Sequence, residues 1–179
     1  MGKKISAADY VKLPEGPPQQ LIQGEIIMSP SPSSTHQYIC IELATILKNH
    51  VTTNGIGYIF TAPLDVYFTE EDVYQPDIIF ISNEQKKIIK QKIEGVPDLV
   101  IEVLFPSNAY YDLTHKKNIY EETGVKEFWL VDPDEKTVEI YENTNGTFML
   151  FSKAKKSGTI SSKLLNGLNI EIEKLFVEI

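Results

Sequence analysis

Glu102 interrupts the run Leu99-Val100-Ile101-Glu102-Val103-Leu104, which otherwise reads as a strand deep inside a sheet. A carboxylate in a dry strand is costly unless it is paired, protonated or bound to a cation. Two further acids begin short apolar segments, Asp77 in "QPDIIFI" and Glu25 in "IQGEIIM". Three carboxylates on three strands can converge at one end of a sheet. Oxygen ligands of that kind suit Mg²⁺, which keeps several waters and engages phosphate oxygens. Lys116 follows on a predicted helix, where Asp112, Lys116 and Tyr120 are spaced i, i+4, i+8 along one face. A lysine turned toward the acids can orient or deprotonate an attacking water, or offset charge on phosphorus oxygens. Metal and lysine together are a workable toolkit for hydrolysing a phosphodiester.

The elements that must position these residues are legible in outline. "SAADYVKL" fits a short helix capped by Ser6, followed by a Pro-rich loop, "LPEGPPQQ". "QLIQGEIIMSP" reads as a strand or hairpin with a bend at Gly24, and "SPSPSS" stops regular structure. Ser34 and Gln37 fit a capping box. Ile39, Leu43, Ile46 and Leu47 then predict a helix of about four turns ending at Asn54-Gly55. "GYIFTA", "LDVYFT" and "QPDIIFI" predict strands, and "SNEQKKIIKQKIEG" a polar helix with Ile88, Ile89 and Ile93 inward, stopped by Gly95. The Glu102 strand ends at Pro106, and a helix is expected over Asp112 to Thr123 with Gly124 as its cap. "KEFWLVD", "TVEIYEN", "TFMLFSK" and "LNIEI" are the remaining predicted strands, with a turn at Asn145-Gly146 and a short final helix, "EKLFVEI".

The 179 residues suit one domain spanning 1–179. The order of elements is mixed, an α+β arrangement of a sheet flanked by helices. No apolar run is long enough to span a bilayer, and no signal-peptide h-region is visible, so a cytoplasmic protein with no membrane partner is expected. The start "MGKKIS" fits a myristoylation pattern only superficially. Cys40 is the one cysteine, which excludes a disulfide framework and a cysteine-rich zinc site within the chain. It falls on the apolar side of its helix and reads as a buried thiol. The formal net charge is −8 and every one of the 17 basic residues is lysine, which argues against a broad nucleic-acid-binding surface.

Pro76-Asp77, Glu102-Val103-Leu104 and Lys116 resemble the PD-(D/E)XK nuclease pattern. "LPEG…QLIQGEIIMSPSPSSTHQ", "QPDIIFI", "GVPDLVIEVLFPSN", "DLTHKKNIY" and "GVKEFWLVDP" together resemble the Uma-two family of restriction endonuclease-like proteins, from about Tyr10 through the last strands. The resemblance implies a restriction endonuclease-like mixed sheet. It makes Glu25, Asp77 and Glu102 the metal-binding and catalytic acids and Lys116 the catalytic lysine. It implies Mg²⁺ or Mn²⁺ as cofactor, the backbone carbonyl of Val103 as a further ligand, and DNA cleavage leaving a 5′-phosphate. The family also has a histidine at the place of His36, at the start of the first long helix, which makes His36 a candidate catalytic residue able to help a phosphate or metal site there. Two departures stand out. Leu104 occupies the position where the general pattern has lysine, and Phe105 stands where a serine is usual.

Taken singly, most of these residues have plainer explanations. Asp77 reads as a strand-opening aspartate after proline, Glu25 as an exposed strand residue, and Lys116 as a solvated helix lysine pairing with Asp112. A lone histidine at His36 is more often a hydrogen-bonding residue of a first helical turn. Tyr120 and Trp129 read as core, and Asp98 as a residue that opens its strand. Glu102 alone stands at even odds, raised by its apolar flanks. Three functions compete: a metal-dependent endonuclease, a catalytically silent binding or assembly module, and a two-carboxylate glycosidase, which has no use for Lys116. A homodimer fits an enzyme that cuts both strands, though no stretch of sequence marks an interface.

Overall fold

The computed structural model describes residues 4–14, 19–28, 31–105 and 109–177, with the side chains of 109–112 left out. Ser6 caps a short helix, α1 (Ala7–Tyr10), by accepting from the Asp9 amide. Strands β1 (Gln19–Ile22) and β2 (Glu25–Met28) form a hairpin through Gln23-Gly24, where both residues have positive φ. The loop residues 15–18, the pair 29–30 and the expected strand stop at Pro106 lie outside the described residues.

Helix α2 (Ser34–Asn54) has 21 residues, longer than the four turns its apolar spacing predicts. The capping box is also displaced by one residue: Ser33, in extended conformation, is the N-cap and accepts from the His36 amide at 3.2 Å. Gly55, left-handed at φ 62°, closes the helix. Ile39, Leu43, Leu47 and Val51 form the stripe that α2 buries. Each such side chain contributes about 1.5–3 kcal/mol on leaving water.

Strands β3 (Gly57–Thr61), β4 (Val66–Tyr67), β5 (Val73–Tyr74) and β6 (Ile78–Ser82) follow. "LDVYFT" therefore yields only a two-residue strand. The predicted polar helix is instead a 3₁₀ turn at Asn83–Ile88 and a short strand, β7 (Ile93–Glu94), which pairs in parallel with β4. Its isoleucines sit at helical spacing, but Ile93 joins a sheet and Ile88 packs on Gly95. Then come β8 (Leu99–Val103), α3 (Ala109–Thr123), β9 (Glu127–Asp132), β10 (Thr137–Asn143), β11 (Phe148–Lys155), β12 (Thr159–Ser161), β13 (Asn169–Glu171) and a closing 3₁₀ turn at Ile172–Lys174.

Two larger sheets result. The six-stranded sheet runs β11-β10-β9-β8-β6-β3, and the five-stranded sheet runs β2-β1-β5-β4-β7; β12 and β13 form a separate pair. β8 lies between antiparallel β6 and parallel β9, and α3 makes the crossover that a parallel pair requires. Alternation along β6 and β8 divides the core. Ile78, Phe80, Leu99, Ile101 and Val103 pack in one cluster with the α2 stripe. Ile79, Ile81 and Val100 pack in the other with Tyr74, Tyr120 and Phe128. By the same alternation Glu102 belongs to the second face, the side of α3.

Gly57 begins the edge strand β3 where no side chain fits. A Cβ there would lie 2.3 Å from the Ile81 carbonyl oxygen and 2.6 Å from the Phe80 ring. Among the described residues, no helix is long and apolar enough to cross a membrane.

Candidate active site

The β6–β8 register brings two acids together. Ile78 is opposite Ile101 and Ile79 opposite Val100, so Asp77 and Glu102 are the next residues beyond the end of the ladder, near enough for the Asp77 charge to act on Glu102. The regular ladder stops there, and the Asp77 side chain takes over from it: Oδ2 accepts the Val103 amide at 2.8 Å.

Glu102 is only 7% exposed. Its Oε1 accepts from the Tyr120 hydroxyl at 2.5 Å and lies 3.4 Å from Lys116 Nζ. Lys116 and Tyr120 are one turn apart on α3, so a single helix face delivers both donors. Burial pushes the Glu102 carboxyl up, Lys116 opposes this, and the Asp77 charge adds to it. Burial and the Glu102 carboxylate push the Tyr120 phenol well up, which keeps it a donor. Its ring sits among Phe68, Tyr74 and Phe128 at centroid distances of 5.0, 5.9 and 5.7 Å, so the hydroxyl has little freedom to leave.

His36 fixes Asp77 from the other side. Nε2 lies 3.3 Å from Asp77 Oδ2, and the ring also engages the Val103 backbone. Burial disfavours the imidazolium, but the Asp77 carboxylate and Val103 more than compensate, so the His36 pKa is raised. Nδ1 faces Cys40 Sγ at 3.6 Å. Burial, with Asp77 and Glu102 nearby, pushes the Cys40 thiol up. Cys40 is partly buried, not sealed in the core, and lines a groove of about 540 Å³ between α2 and β3. Asp77, Lys48 and Thr61 also border that groove.

The structure therefore gathers His36, Asp77, Glu102, Val103 and Lys116. Glu25 is the exception among the expected residues. It opens β2 in the five-stranded sheet, is exposed, and its charge acts on Lys4. Asp77 immediately precedes β6 and Glu102 lies in β8, both strands of the six-stranded sheet, so the three acids are not on three strands of one sheet. The expected Asp112–Lys116 pair lies outside the described side chains. Asp98 is structural: it is 1% exposed, accepts the Ser82 amide at 2.8 Å and pairs with Lys126 at 2.7 Å. Sequence reasoning placed Tyr120 in the core and missed its hydroxyl bond to Glu102, although the Lys116–Tyr120 spacing carried the signal. It also missed Cys40 as the neighbour of His36, which the i, i+4 spacing could have shown.

The donors fit a hard divalent cation. Oδ2 of Asp77 and Oε1 of Glu102 are held by the protein, whereas Oδ1 and Oε2 take no hydrogen bond from the described residues. Two oriented carboxylates, each with an oxygen that no described residue hydrogen-bonds, match the oxygen preference of Mg²⁺ and Mn²⁺.

A family model described as "Uma2: Putative restriction endonuclease" matches residues 7–173. None of the curated proteins compared matches the chain. Among solved structures, the chain is similar to a crystal structure described as that of "a putative nuclease belonging to DUF820 from Anabaena variabilis". The TM-score is 0.82 and the identity 25%, over 96% of this chain and 97% of that one.

Proposed function

The chain belongs to the Uma2 family, whose function is nuclease-like, and on that premise we propose a metal-dependent endonuclease that hydrolyses phosphodiester bonds in DNA. Asp77 Oδ1, Glu102 Oε2 and the Val103 carbonyl would hold Mg²⁺ or Mn²⁺. When bound, the ion would polarise the phosphoryl oxygens and offset charge in the transition state. Lys116, the buried cation beside Glu102, orients the attacking water and stabilises charge that grows on the phosphorus oxygens. The water attacks phosphorus, the bond to the 3′-oxygen breaks, and the product carries a 5′-phosphate. His36 and Tyr120 are positioning residues that hold Asp77 and Glu102 in orientation. Glu25 is assigned no place in the ion's immediate shell.

The juxtaposition of Asp77 and Glu102 at the ends of neighbouring strands, with Lys116 beside Glu102, carries this assignment. Glu102→Ala should abolish cleavage of plasmid DNA in Mn²⁺ while circular dichroism shows the fold intact. A variant that cuts as fast as the wild type would remove the assignment. The net charge of −8 favours a second function, a silent nucleic-acid-binding or assembly module of the same fold. Calorimetry separates the two, since the module would bind no Mn²⁺.

A further inference from the structure

His36 and Cys40 point from one face of α2 toward Asp77, and the ligand atoms of the three residues all lie within 4.8 Å of one another. The donor set is a nitrogen, a sulfur and one carboxylate oxygen. That is a different chemistry from the oxygen pair of Asp77 and Glu102. Thiolate and imidazole select borderline and soft ions, of which Zn²⁺ is the common case, over Mg²⁺. We propose that His36, Cys40 and Asp77 form a second cation site, selective for thiophilic divalent ions of the Zn²⁺ class.

Geometry supports it. A tetrahedral Zn²⁺ with bonds of about 2.0–2.3 Å holds its ligands about 3.3–3.6 Å apart. With one ligand atom from each residue the separations stay within 4.8 Å, although His36 meets Cys40 through Nδ1 at 3.6 Å and Asp77 through Nε2 at 3.3 Å. The two ring nitrogens now serve Cys40, Asp77 and the Val103 backbone. A turn of the imidazole and a closure of about 1 Å would set a single nitrogen, the sulfur and the oxygen around one ion. Three protein ligands leave a fourth position for water. The groove lined by Cys40 and Asp77 supplies the access path and room for that water. Asp77 belongs to both sites. An ion on Asp77 Oδ2 takes away the His36 partner that orients this carboxylate and draws charge from Oδ1, which the hard-ion site needs, so Zn²⁺ antagonises Mg²⁺ or Mn²⁺. The antagonism rests on the nuclease assignment, whereas binding of Zn²⁺ does not.

Cobalt titration of the metal-free, reduced protein tests the site, because Cys40 is the only thiol that can give a signal. The wild type should develop the thiolate-to-cobalt charge-transfer absorption at one equivalent, and Zn²⁺ should displace it. Cys40→Ser should abolish the absorption, and Glu102→Gln should leave it undiminished. Equimolar Zn²⁺ should weaken Mn²⁺ binding at least about tenfold in the wild type and less than about twofold in Cys40→Ser, consistent with loss of a ligand. A wild-type protein without the charge-transfer absorption would overturn the proposal, as would equal antagonism by Zn²⁺ in Cys40→Ser. The absorption with no Mn²⁺ binding at all would support the thiophilic site and remove the nuclease assignment instead.

Discussion

Tyr120→Phe removes one oxygen from the middle of the protein and changes nothing else in shape. The lost hydroxyl donates at 2.5 Å to Glu102 Oε1, and both residues are buried. A hydrogen bond to an ionised group contributes about 1.5–3 kcal/mol. Lys116 at 3.4 Å remains, so Oε1 keeps one partner and the lower half of that range is expected, about 1.5–2 kcal/mol. Urea denaturation gives the reading directly. With a slope of about 2 kcal/mol/M, the midpoint should fall by roughly 0.7–1 M with the slope unchanged. The same substitution in a Glu102→Gln background should cost less, about 0.5–1.5 kcal/mol, because a neutral amide oxygen replaces the carboxylate. An equal cost in the two backgrounds would show that the bond's charge plays no part. A cost under about 0.5 kcal/mol in the wild type would show that Tyr120 does not hold Glu102.

Lys116→Met should slow DNA cleavage at least about 100-fold, the usual loss for one electrostatic group, while calorimetry shows Mn²⁺ still bound. Burial opposes ionisation of Asp98, and the Lys126 ammonium and the Ser82 amide outweigh it, so its pKa is lowered. The unfolded chain therefore takes up this proton first as pH falls. The stabilisation is present above about pH 4 and is lost as pH drops through the lower folded value. Asp98→Asn should cost about 1.5–3 kcal/mol at neutral pH and shallow the acid-side decline, measured by urea midpoints across that range. Glu127 accepts from Trp129 Nε1, Ser162 Oγ and the amides of Lys163 and Leu164 at 2.7–3.0 Å. Glu127→Ala should cost at least about 3 kcal/mol by orphaning buried donors, with thermal melting as the check.

The parts of the fold that the sequence displays are those with dense local signals. The apolar run at Leu99 to Val103, the helix before Gly124 and the two strands around Pro133-Asp134 all form where expected. Signals fail where pairing is long-range. Nothing near "NEQKKIIKQKIEG" announces that Ile93 will lie beside Val66, and the tail gives no notice of β12. The placement of Glu25 is hidden for the same reason: a hairpin is visible locally, but the sheet it joins is fixed by the pairing of Leu21 with Val73. Asp77 and Glu102 could be singled out because proline and an apolar strand mark their neighbourhoods, and the structure places them at the ends of neighbouring strands. The roles of His36 and Cys40 depend on how α2 lies across the strand ends, which spacing within one helix cannot specify.

Gly57 closes one avenue of evolutionary change. A methyl group there would collide with the Ile81 carbonyl and the Phe80 ring, so even alanine would prise the outermost strand from its neighbour. That strand is a wall of the groove beside Asp77. Drift at this position is thus barred by the shape of the groove wall as much as by folding. A library that randomises β3 and the facing side of α2 should recover glycine at 57 almost without exception, while Thr61 on the same strand and Lys48 across the groove remain free to vary.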